Sequence, residues 1–105
     1  MATFSSPDEL KTELKRLKTQ LQESWPIESL ALFGSWVRGE ARPGSDVDLL
    51  ISFKRGEGIK RLGLFDFFTI QLTLQDALGC KVDLVEREAI KPNLASHILP
   101  EAEEL

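Results

Sequence analysis

The sequence predicts a small α/β (α+β) domain, a mixed β-sheet with helices packed on it, and three observations predict it. Apolar patterns of helical and strand type alternate along the chain in the order helix, strand, helix, strand, helix, strand. Glycine and proline punctuate these runs at Trp25-Pro26, Gly34, Pro43-Gly44 and Gly79. The 105 residues, 42% of them hydrophobic and 29% charged, match one ordinary core and leave no room for a second folded unit.

Ser6-Pro7-Asp8-Glu9 is a helix start, with Ser6 as N-cap, Pro7 at the first helical position and Glu9 closing a capping box. Leu10, Leu14, Leu17 and Leu21 then recur at spacings of four, three and four, one stripe for a core, with Lys11, Lys15, Arg16 and Lys18 largely off it. Trp25-Pro26 ends the helix. Ile27 to Phe33 suits a buried strand that Gly34 stops, Gly34 to Gly39 has room for a short helix, and Ala41-Arg42-Pro43-Gly44 is a loop. A second strand is predicted over Asp46 to Phe53, a polar segment over Lys54 to Lys60, and the longest helix over Leu62 to Leu78, with Gly79 at its C-terminal stop. Lys81 to Glu86 is the third strand. Arg87 to Leu105 reads as a tail containing Pro92 and Pro100, with one short helix around Asn93 to Leu99. Residues 1–105 therefore form a single domain: an N-terminal helix (1–25), a central core (27–86) and a C-terminal tail (87–105).

The bulk numbers exclude several classes. A net charge of -4 gives no support to broad electrostatic binding of a nucleic-acid backbone, so direct nucleic-acid binding is not expected. Cys80 is the single cysteine, which removes an internal disulfide or cysteine-rich zinc cluster and suits the reducing cytoplasm. Met1 to Pro7 lacks the basic-then-apolar pattern of an export signal, and no run approaches the roughly 20 apolar residues of a membrane helix.

Chemistry concentrates between Gly34 and Asp83. Gly34-Ser35 falls where a buried strand turns into a helix, so it reads either as an ordinary tight turn with a serine cap or as a cradle of backbone N–H groups for phosphate oxygens. Neither a P-loop nor the dinucleotide fingerprint is present. Asp46 and Asp48, two apart on a strand, face one side with their Cα atoms roughly 6.6 Å apart. Val47, Leu49 and Ile51 take the opposite face, and Leu50 continues the carboxylate face inward. Like charges held this close call for a cation, and Mg²⁺ takes oxygen ligands of this kind together with substrate phosphates; the alternative is a solvated strand start. Asp83 sits in the apolar run Val82-Asp83-Leu84-Val85, where a carboxylate needs a partner. That partner is either a metal shared with Asp46 and Asp48 or a salt bridge to Lys81 or Arg87.

Gly34-Ser35-Trp36-Val37-Arg38-Gly39 followed by Ser45-Asp46-Val47-Asp48-Leu49 resembles the signature of the minimal nucleotidyltransferases of the DNA polymerase β superfamily. The resemblance runs from about Leu30 through Lys81-Val82-Asp83-Leu84-Val85 into Asn93 to Leu99, and the N-terminal helix is its least diagnostic part. It implies the nucleotidyltransferase fold, with Gly34 and Ser35 on the β and γ phosphates of ATP, and Arg38 and Ser45 among the nucleotide-binding residues. It also implies Asp46, Asp48 and Asp83 as the catalytic, Mg²⁺-binding triad, with Asp83 helping to activate the acceptor as general base. On the residues alone, Arg38 equally well balances the dipole of a short helix. Val37 stands where many relatives have alanine, a departure that removes no chemical group.

Larger enzymes of this kind add a helical domain that presents the acceptor, and that half is absent here. The resemblance therefore implies a partner protein, a helical HEPN-domain toxin, with the chain as antitoxin transferring AMP from ATP to a hydroxyl, in the favoured version a tyrosine of the toxin. A contact-only antitoxin that binds nucleotide without catalysis is the alternative. The chain has no tyrosine, which excludes self-modification at that residue type. Phe65, Phe67 and Phe68 cover more than one side of the third helix, so core packing is the simpler reading and a partner surface the other. Lys54, Arg55, Lys60 and Arg61 read as a solvated basic loop, Trp36 as a base-stacking ring or an aromatic cap over the core, and His97 and Cys80 receive no role.

Overall fold

A computed structural model describes residues 4–42, 44–59 and 61–105; Met1, Ala2 and Thr3, Pro43 of the predicted loop and Lys60 of the basic segment lie outside the described residues. The elements are α1 (Pro7–Gln22), β1 (Ile27–Phe33), α2 (Ser35–Arg38), β2 (Val47–Phe53), α3 (Leu64–Leu78), β3 (Val82–Glu86), a 3₁₀ turn (Arg87–Ala89), α4 (Pro92–Glu101) and β4 (Glu103–Glu104). The strands form one mixed sheet in the order β3-β2-β1-β4. β1 runs antiparallel to both β2 and β4, and β2 runs parallel to β3, so the expected mixed sheet with packed helices is the observed architecture.

The first helix begins as its sequence dictates. Ser6 Oγ accepts the Glu9 N–H at 3.2 Å, while the Glu9 carboxylate reaches back to Ser5 rather than to the cap residue, accepting its N–H at 3.3 Å and its hydroxyl at 2.6 Å. The capping box is thus shifted by one residue. Leu10, Leu14, Leu17 and Leu21 are all buried, against Ile27, Leu30 and Leu32 of β1, Val47, Leu49 and Ile51 of β2, and Ile70, Leu74 and Leu78 of α3. One face of the sheet is therefore a dry aliphatic layer. The other carries a smaller cluster, Ala31, Phe33 and Leu50, covered by Val85, Ile90, Ile98 and Ala102. The parity predicted for β2, with Leu50 on one side and Val47, Leu49 and Ile51 on the other, is the parity found.

Several boundaries differ from expectation: β3 starts at Val82 rather than Lys81, and α1 ends at Gln22, short of Trp25-Pro26. β2 starts at Val47, which leaves Asp46 one residue ahead of the ladder. α3 starts at Leu64 because Gly63 is its N-cap, and the Asp66 carboxylate accepts the Gly63 N–H at 3.0 Å. At 15 residues it is slightly shorter than the 16 of α1, so it is not the longest helix. The tail holds more order than its sequence suggests. α4 extends over Pro92–Glu101, with Pro100 tolerated in its last turn, and Glu103–Glu104 adds a fourth strand at the free edge of β1. Glutamates have low strand propensity, and what secures this pair is ladder bonding together with ion pairs from Lys11 to Glu103 and from Arg87 to Glu104.

Candidate active site

Asp48 and Asp83 meet because β2 and β3 are parallel and in register. Asp48 stands opposite Asp83 in one ladder and opposite Phe33 in the other. Phe33 is the last residue of β1, so Gly34 lands directly over the Asp48 carboxylate. A Cβ on Gly34 would lie 2.2 Å from Asp48 Oδ2, and the residue has φ of +82°, so glycine is required here by both space and backbone. The sequence marked Gly34 as a turn; the carboxylate that demands it was not visible there.

Burial, with Asp83 and Asp46 beside it, pushes the Asp48 carboxyl up to about 6. Its side chain is within hydrogen-bond reach of Asp83, and Arg38 pulls in the opposite direction. Lys81 Nζ lies 4.0 Å from Asp46 Oδ2 and 3.9 Å from Asp83 Oδ1. This is the Lys81 salt bridge weighed for Asp83; Arg87 pairs with Glu104 instead. An ammonium drawn between two acids marks the place where positive charge is most wanted. The donor set fits a hard divalent cation, since it offers only carboxylate oxygens and one carboxyl is held at a raised pKa by burial and by its acidic neighbours. Among the described residues no three acids close into a preformed cage: Asp48 and Asp83 stand opposite each other in the ladder, and Lys81 reaches from Asp83 to Asp46.

The remaining predicted residues surround this pair. Ser35 opens α2, and Gly34 O accepts the N–H groups of Val37 and Arg38 at 3.0 and 3.1 Å. Arg38 is at the other end of that single turn, its Nε donating to Glu40 Oε1 at 2.8 Å and its Nη1 to Glu101 Oε1 at 3.0 Å. Ser45 Oγ accepts the Arg42 N–H at 2.8 Å, so this hydroxyl shapes the loop leading to Asp46. Trp36 is buried and its indole N–H donates to Ser45 O at 3.4 Å; of its two readings the structure supports the core one. Of the phenylalanines, Phe67 packs on the core, while Phe65 at 89% and Phe68 at 54% stay exposed, which corrects the core reading for two of the three.

Glu101 is the residue that sequence reasoning missed. It lies 67 positions after Gly34, and its Oε2 accepts the Gly34 N–H at 3.0 Å. No local signal in Pro100-Glu101-Ala102-Glu103-Glu104 distinguishes it from the acids around it.

A glycine turn seated over an in-register pair of strand acids thus lies at one end of the four-stranded mixed sheet. Residues 14–104 match the family model for the nucleotidyltransferase domain, and the chain belongs to that family. It is 34% identical, over 90% of its own length and 90% of the relative's, to the protein adenylyltransferase MntA of Thermococcus cleftensis. A solved structure provisionally described as a minimal nucleotidyltransferase is 32% identical and superposes with a TM-score of 0.74 over 95% of this chain and 96% of that one. The fold also recurs, at 20% identity and a TM-score of 0.60 over 88% of this chain and 66% of the other, in a Shewanella oneidensis complex of a tri-AMPylated HEPN toxin with an MNT antitoxin. Among the described residues no helix is long and apolar enough to cross a membrane.

Proposed function

We propose that this nucleotidyltransferase moves AMP from ATP to a hydroxyl group of a partner protein, and that the partner is a HEPN-domain toxin which the transfer silences. The observation that carries this reading is the in-register Asp48–Asp83 pair beneath the Gly34 turn. The reaction class follows from the family, and the adenylyl group and the toxin from the similarity to MntA and the recurrence of this fold in an antitoxin complex.

The chain's own groups divide the work. The Gly34-Ser35 turn and Arg38 hold the triphosphate, and Ser45 keeps the approach to Asp46 in shape. Asp46, Asp48 and Asp83 would hold Mg²⁺, which when bound offsets negative charge on the phosphates. Asp83 stands at the open strand end as the general base for the acceptor hydroxyl. The acceptor oxygen forms a bond to the α-phosphorus, the bond from the α-phosphorus to the bridging oxygen breaks, pyrophosphate leaves, and the hydroxyl proton passes to Asp83. A tyrosine suits this base, because its phenol is more acidic than an aliphatic alcohol.

Incubation of the chain with a HEPN partner, ATP and Mg²⁺, followed by intact-mass measurement of the partner, tests the proposal. Added adenylyl mass is expected with the wild type and a loss of at least about 100-fold in its rate with Asp48→Asn. An unmodified partner that is still inhibited would replace transfer by contact-only neutralisation.

A further inference from the structure

We infer that the Glu101 carboxylate stands in for a phosphate group in the Gly34–Arg38 cradle, and that an incoming triphosphate must displace it before the site can fill. This rests on the nucleotide-transfer reading above and adds to it a latch supplied by the chain itself.

The contacts are those a phosphate would make. Oε2 of Glu101 accepts the Gly34 N–H at 3.0 Å, and Oε1 accepts Arg38 Nη1 at 3.0 Å. One backbone amide and one guanidinium gripping a two-oxygen anion is the recognition used for phosphates, and the charge on Arg38 strengthens it. Arg38 Nε is taken as well, by Glu40, so the cation of the cradle is spoken for by two of the chain's own acids. Burial raises the Glu101 carboxyl, but the Arg38 and Gly34 hydrogen bonds outweigh it and hold the group below its ordinary value, ionised as the latch requires.

Its placement is held from both sides. α4 lies on the carboxylate face of the sheet through Ile98, and β4 begins two residues after Glu101, pairing Glu103 with Leu32 and Glu104 with Ala31. Leu105 N–H donates to Leu30 O at 2.9 Å beyond that. A backbone so anchored keeps the carboxylate within reach of the cradle, and rotation of the side chain alone can vacate it. Because the latch competes with ligand, the apparent dissociation constant is the intrinsic one divided by the fraction of molecules in which the latch is open.

Titration calorimetry with Mg–ATP on the whole chain tests this. Glu101→Gln and Glu101→Ala should each bind about three- to tenfold more tightly than wild type, the range for a latch closed roughly 70–90% of the time. Glu103→Gln, which cuts the Lys11 ion pair and leaves the cradle untouched, should bind as wild type does. Equal or weaker affinity in both Glu101 variants overturns the latch, as does an equal gain in Glu103→Gln, which would assign the effect to a loosened tail. Binding by none of the proteins sinks the nucleotide-transfer reading and the latch with it. A measurement on the wild type avoids dependence on the variants' folding: the Glu101 carboxyl ¹³C resonance should move toward that of exposed glutamates on addition of Mg–ATP. A resonance that stays put while ATP binds also overturns the latch.

Discussion

The two faces of the sheet differ in what they are made of. Under α1 and α3 lies a continuous aliphatic layer in which Leu10, Leu14, Leu49, Ile51, Ile70, Leu74 and Leu78 are wholly buried. Among the described residues the α4 side buries the smaller cluster of Ala31, Phe33 and Leu50 together with Ser52, and it also carries Asp48, Asp83, Arg38 and Glu101. Hydrophobic burial stabilises in proportion to area, so the first face supplies most of the folding free energy. The second face can then hold acids in close contact, an arrangement that lowers stability and that added positive charge would relieve. Alternation along β2 divides the roles, with neighbouring residues serving opposite purposes.

Leu49 and Leu50 offer the sharpest way to break this comparison, being adjacent, equally buried and on opposite faces. Leu49→Ala should lower stability by about 3–4 kcal/mol and Leu50→Ala by about 2–3 kcal/mol in chemical denaturation, since the thinner layer relaxes more easily around a cavity. An order reversed by more than the error of the fits would remove the distinction between the faces. Gly34→Ala comes next: left-handed backbone plus a 2.2 Å approach to Asp48 should cost about 2 kcal/mol of stability and abolish detectable Mg–ATP binding in calorimetry. Retained binding would mean that the turn lies off the ligand.

The smallest expected effect has the opposite sign. The folded-state pKa of Asp48 is raised to about 6, so ionising it as pH climbs from about 4 to about 6 lowers the stability of the native state. Asp48→Asn removes that penalty. Without divalent cation, the variant should be more stable than wild type at pH 7, by about 1 kcal/mol once solvent screening of a partly exposed carboxyl is discounted, and the advantage should vanish below pH 4. Thermal melts across that window check the sign. A variant that is less stable at pH 7 would show that the acids on this face are not in conflict.

Much of the site was legible beforehand because its parts are local. The Ser6 cap, the leucine stripe of α1, the Gly34 turn and the shared face of alternate β2 residues each depend on neighbours within about four positions, and each appears in the structure. Legibility failed wherever a long contact competed. Glu103–Glu104 is a poor strand by composition, yet the edge of β1 and two ion pairs recruit it. Phe65 and Phe68 have the chemistry of core residues and remain outside because Ile70, Leu74 and Leu78 turn the other side of α3 inward.

By itself, then, the chain's order of residues determined which groups could do chemistry and which short elements would present them. Tertiary structure alone decided that Asp48 faces Asp83 across a parallel ladder, that Trp36 is sealed inside, and that Glu101 reaches back across 67 residues to the Gly34 amide. The reason is physical: turn geometry and periodicity act over one or two turns of backbone, whereas strand register and the company a side chain keeps are set by how the whole sheet closes its core.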